Sequence, residues 1–169
     1  THDAFQQLGP LGRHVDDLVL LLPILAGPDN VDPAIVPMPL GEPGAVDLST
    51  LRIGFHVDNG IRTPTPEIQA VVRAAAGVMS EVGARVDESR PDGIEESFAL
   101  NRQVFGADGR AAVRRLLREA GTTEASIATE GPGLSAIELD QLLADWYGLR
   151  SRMHRYLENH DVILSPVNG

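Results

Sequence analysis

The stretch from residue 51 to residue 88 constrains this chain more than any other. Leu51, Ile53, Phe55 and Val57 alternate with Arg52, Gly54 and His56, which is the period of a strand. Asp58-Asn59-Gly60 follows as a turn. Thr65-Pro66-Glu67 then opens a helix, with Thr65 as N-cap, proline at the first position and a carboxylate on the positive end. Ile68, Val71, Val72, Ala75 and Met79 keep a helical period to Val82, where Gly83 stops it. Residues 84–88 read as a second strand. The unit has the size of a parallel strand–helix–strand crossover, which implies an α/β fold.

The flanking segments extend this plan. The spacing of Val15, Leu18, Val19, Leu22 and Leu25 predicts a helix over residues 13–26. Leu20, Leu21 and Ile24 make it apolar on most faces, so deep burial is expected. Pro23 is expected to kink it. Residues 28–50 hold five prolines and two glycines without a period and read as a long connection. Helices are predicted over 94–105 and 110–120, split by a Gly-Ala-Asp-Gly break. Ser135 and Glu138 form a capping box for a long helix reaching residue 159. Val162-Ile163-Leu164 reads as a short buried strand of a parallel sheet.

Composition narrows the chemistry. All 14 basic residues are arginine, and there is neither lysine nor cysteine. That removes disulfides, thiolate metal sites and cysteine nucleophiles, and every lysine role from Schiff base to general base. A net charge of −10 argues against nucleic acid or an anionic membrane as partner. The longest apolar run, residues 18–26, falls well short of the ~20 residues of a spanning helix. A cytoplasmic location is the default. The chain starts without methionine and ends abruptly after Ser165-Pro166, which suggests a piece of a longer protein.

No complete catalytic set is visible. The five histidines (His2, His14, His56, His154 and His160) lack metal-site spacing and read as surface residues, so no metal is expected. His160-Asp161 and His14 with Asp17 are the close His–carboxylate neighbours, but no G-x-S-x-G elbow accompanies them. Gly131-Pro-Gly133 is a poor match to a phosphate loop. Arg110, Arg114, Arg115 and Arg118 read as a solvated or acid-pairing face. Ser165 follows the last strand, where a hydroxyl can touch a ligand but more often forms a turn before proline. Trp146 could line a pocket, although an aromatic within an apolar helical stripe is more often core. On these residues alone, a stand-alone non-catalytic α/β domain that binds a small ligand or a protein partner remains open.

Several stretches in order resemble the amidase signature hydrolases. They are Leu8-Gly-Pro-Leu-Gly-Arg-His-Val-Asp-Asp-Leu18, Leu25-Ala-Gly-Pro-Asp29 with Asp32-Pro33, Leu51-Arg-Ile-Gly54, Thr65-Pro66-Glu67, and Tyr156 with Asp161-Val-Ile-Leu-Ser-Pro166. The resemblance implies an amide-hydrolysing enzyme built on a mixed sheet wrapped in helices, acting on a small amide without a cofactor. It implies a serine nucleophile, a second serine with a cis peptide bond, and a lysine that starts the proton relay. Those groups lie ahead of this stretch in family order, and no Gly/Ser-rich signature or lysine occurs here. Residues 1–169 are therefore expected to form the later portion of an amidase signature domain, with an incomplete sheet and no catalytic residue of their own. The missing portion of the same fold is the expected partner. The implied pocket-wall candidates are Ser165, Pro166 and Asn168 at the last strand end, and Trp146.

Overall fold

The structure is a computed structural model and describes residues 9–31 and 35–167. The chain divides into two compact units, Thr1–Asp47 and Leu48–Gly169.

In the smaller unit, α1 spans Val15–Leu25. Asp17 closes its start, its carboxylate accepting from the peptide N–H groups of Arg13 (3.0 Å) and His14 (3.1 Å). Pro23 lies inside the helix without ending it. The expected deep burial is not found. No residue of α1 is buried, and Leu20 and Ile24 are 68% and 72% exposed. An apolar stripe needs a facing layer. Among the described residues before Asp47, the only other regular element is a single 3₁₀ turn, Pro43–Ala45.

The larger unit carries the sheet. β1 (Arg52–Phe55), α2 (Pro66–Glu81) and β2 (Arg85–Glu88) form the crossover that the periodicity predicts, with Arg52 opposite Arg85 and Gly54 opposite Asp87 in parallel register. A 3₁₀ turn at Ile94–Glu96 leads into α3 (Ser97–Gly106), followed by α4 (Ala111–Glu119), α5 (Ala136–Leu157) and β3 (Val162–Leu164). β3 returns parallel to β1, which gives the order β2-β1-β3 with β1 in the centre.

Two packing regions hold this unit. α2 lays Val72 and Ala76, one turn apart, against β1 and β2. Ile68, Val71 and Val78 of α2, and Val82 at its C-cap, stay exposed. Leu100 of α3 and Leu142 and Leu149 of α5 make a second cluster, with Val104, Leu134 and Trp146 packed against it. Each buried leucine contributes about 1.5–3 kcal/mol. The Ser135 cap forms as its spacing predicts: its hydroxyl accepts from the Glu138 N–H, and its own N–H donates to the Glu138 carboxylate at 2.7 Å.

Candidate functional site

Open α/β sheets bind ligands beyond the carboxyl ends of their strands. Here that edge is formed by three residues, one past each strand. The His56 N–H donates to the Leu164 carbonyl (3.1 Å) and the Ser89 N–H to the Phe55 carbonyl (2.8 Å). Ser89, His56 and Ser165 therefore follow β2, β1 and β3 side by side. Ser165 is exposed and Pro166 half-buried. Asn168 lies outside the described residues. Trp146 sits apart from this edge, in the α3–α5 cluster.

The opposite end of β3 is fixed by a clamp. The Arg52 guanidinium donates to both oxygens of Asp161 (3.0 and 2.7 Å) and to the Glu158 carbonyl (2.8 Å). The Arg52 N–H adds a bond to Asp161 (2.9 Å), and the Asp161 N–H returns one to the Arg52 carbonyl (2.7 Å). These bonds from Arg52 hold the Asp161 carboxyl at a pKa of about 2. The clamp couples two of the motif segments and sets the register that carries Ser165 to the edge.

Between clamp and edge, a polar cluster ties α5 to β2. The absent side chain of Gly54 leaves room for Tyr156, whose hydroxyl would stand 1.7 Å from a β-carbon there. That hydroxyl meets Ser89 Oγ at 2.8 Å and donates to the Ser89 carbonyl at 3.2 Å. The Tyr156 and His160 rings stack at 4.0 Å. His160 Nδ1 donates to the Tyr156 carbonyl (3.0 Å), since a carbonyl can only accept. Nε2 faces Asp87 (3.2 Å) and Ser89 Oγ (3.4 Å). The Ser89 hydroxyl, and after it His160, lower the Asp87 pKa.

Serine, histidine and aspartate thus meet, but not as a hydrolytic triad. In a triad the acid orients one ring nitrogen and the serine uses the other. Here both share Nε2, while Nδ1 is bound to the helix backbone. Sequence adjacency points to His160 with Asp161; the fold instead pairs His160 with Asp87 and Asp161 with Arg52. The signal available in the sequence is alternation: Asp87 on β2 and Ser89 just past it lie two residues apart, on the side that Gly54 leaves open.

Two further sequence features find local roles. Arg110 and Arg114 donate to the carbonyls of Phe105, Gly109 and Thr129 rather than to acids. Gly133 bridges to Asp108, and the Leu134 N–H donates to the Ala107 carbonyl (2.8 Å). Gly109 has a positive φ, and a β-carbon there would meet the Gly131 carbonyl at 2.9 Å. These turns border an open cleft of about 710 Å³ lined by Asp108, Gly109, Arg114, Glu130, Gly131 and Gly133, with no nucleophile. Among the described residues no group of three or more His, Asp or Glu could hold a metal ion.

A small parallel sheet flanked by capped helices, with its last strand clamped, has a solved counterpart. Over 93% of its length the chain superimposes on a solved fatty acid amide hydrolase with a TM-score of 0.75 at 20% identity, covering 30% of that chain. The Amidase family model matches residues 2–169, and the chain belongs to that family. It is 35% identical over 168 residues to an acylamidase of Rhodococcus erythropolis, covering 94% of this chain and 35% of that protein. It is 29% identical over 114 residues to an amidase of Pseudomonas putida, covering 66% of this chain and 24% of that one. A glutamyl-tRNA(Gln) amidotransferase subunit of Roseiflexus sp. (strain RS-1) is 32% identical over 88 residues, 50% of this chain and 18% of that protein. The chain thus spans about a third of the acylamidase.

Proposed function

We propose that this chain is the later portion of a cytoplasmic amidase that hydrolyses the C–N bond of a small amide, and that it is inactive alone. The observation that carries the reading is the family match along residues 2–169, with an acylamidase aligned over nearly the whole chain. Amide hydrolysis needs an activated nucleophile beside a base, and donors for the oxyanion. The sequence has no lysine to act as base. The Ser89–His160–Asp87 cluster has the wrong geometry to replace one. What the chain supplies is scaffold and pocket wall, with Ser165 and Pro166 at the strand edge. Trp146 contributes through the core that supports α5. The exposed apolar residues of α1 and of α2 fit burial against the remainder of the fold.

The test is ammonia release from simple primary amides. The chain is assayed alone, then with a separately purified polypeptide carrying the upstream Gly/Ser-rich and lysine segments of the same reading frame. No release alone and release on mixing is the expected result. Turnover by the chain alone would refute inactivity, and an upstream frame without those segments would favour the stand-alone binding domain.

A further inference from the structure

Among the described residues, His56 is the buried polar side chain without a hydrogen bond. It is 5% exposed, and neither Nδ1 nor Nε2 has a partner in hydrogen-bonding geometry among the described residues. Buried polar groups are paired in all but a few cases, so this imidazole requires an explanation. The alternation in residues 51–57 puts it on the polar side of a strand, as a surface residue. The fold overturns that reading, because β1 is the central strand and is covered on both faces.

The surroundings define which state the ring tolerates. Asp58, on the turn after β1, and Arg90, just beyond β2, are the charged groups that act on it. The Asp58 carboxylate is already engaged by the Gly60 N–H and the Thr63 hydroxyl, both at 2.8 Å. The Arg90 guanidinium lies against Gly60, where a β-carbon would meet it at 2.9 Å. On β2, Asp87 is held by His160. β3 is Val162-Ile163-Leu164 and brings no charge. Burial, the larger effect, and the Arg90 charge push the His56 pKa below its ordinary value, against an opposing pull from the Asp58 backbone and carboxylate.

We propose that His56 is an acid-triggered latch: buried where the three strands end, with neither ring nitrogen in hydrogen-bonding geometry with a partner among the described residues, it holds the carboxyl edge closed when neutral and opens it when protonated. The opening frees the 58–60 turn and the chain leaving β2 at Ser89 and Arg90. The sign follows from proton linkage. Below the ordinary imidazole pKa of about 6.5 the open state binds a proton that the closed state resists, so acid favours opening. The latch itself does not rest on the amidase reading. Only its consequence does: on that reading the edge carries Ser165 and Pro166, and acid loosens the pocket wall.

The experiment reads backbone exchange, which stays informative even if the chain has no amidase role. Amide protection factors of the full chain, corrected for intrinsic exchange, are measured at about pH 7.5 and about pH 5.5, either side of that pKa. Protection is expected to fall in acid at residues 56–60, Ser89 and Arg90, while amides around Leu142 keep theirs. His56→Phe, similar in size and unable to titrate, should keep the edge protected at both values, with the His160–Asp87 pair still present as an internal control. A ring-resonance titration of wild-type His56 provides the second measurement should that variant fail to fold. Ring protonation coincident with loss of edge protection supports the latch. Protonation with the edge intact, an edge insensitive to pH, or an equal acid loss in His56→Phe overturns it.

Discussion

Gly54→Ala is the sharpest probe of how α5 is seated on the sheet. A β-carbon at this position would stand 1.7 Å from the Tyr156 hydroxyl oxygen, 2.8 Å from Tyr156 Cζ and 3.0 Å from His160 Cδ2. The ring has to withdraw. Withdrawal breaks the two Ser89 contacts of the hydroxyl, worth about 0.5–1.5 kcal/mol each. It also disturbs the stack on His160, worth about 0.5–1.5 kcal/mol. The variant regains about 0.4–1 kcal/mol because alanine restricts the unfolded chain. The net loss is roughly 0.5–4 kcal/mol. For a chain of this size each kcal/mol lowers Tm by about 2–4 °C, so the fall should be roughly 1–16 °C. Trp146, the only tryptophan, sits in the α3–α5 cluster and reports melting of this unit by fluorescence. Tyr156→Leu in the same chain removes the obstruction, so the double variant should be more stable than the sum of the two single losses. A Gly54→Ala melt within about 1 °C of wild type, or strict additivity in the pair, would refute the seating argument.

Other substitutions test other parts of the structure. Leu142→Ala, at a residue 3% exposed, should destabilise by about 2–5 kcal/mol and shift Trp146 emission to the red. Ser135→Ala should cost about 0.5–2 kcal/mol through the lost cap of α5, read by helical circular dichroism. Asp161→Asn tests the clamp by pH. The Asp161 pKa is lowered to about 2, so its stabilisation is complete above the ordinary carboxylate pKa of about 3.9 and fades as pH falls toward 2. Wild type should lose stability across that window, and more weakly at high salt because the pair is partly exposed. The asparagine variant should start lower at neutral pH and show a flatter curve, and parallel curves would exclude the clamp as the cause.

Most element types, and the parallel crossover, are legible in the sequence. Alternation at Leu51–Val57, the Thr65-Pro66 start and the Ser135–Glu138 box are local signals, and local signals survive into the fold because backbone geometry enforces them. The ordered motifs are legible for the same reason: each occupies a few adjacent residues. The site is less so. Adjacency pairs His160 with Asp161, yet a contact across more than 70 positions gives it Asp87 instead. Alternation makes His56 a surface residue. Whether that face is wet depends on which strands flank β1 and what lies over them, and no local pattern carries that.

By itself, then, the sequence determined the α/β class, the helix and strand order, and the absence of a lysine base. All of these follow from residue type and short spacing. The tertiary structure alone decided that Gly54 makes room for Tyr156, that Arg52 grips Asp161, and that His56 is buried with no partner in hydrogen-bonding geometry among the described residues. Each depends on residues far apart in the chain brought within a few ångströms by strand register, and register is a property of the assembled sheet.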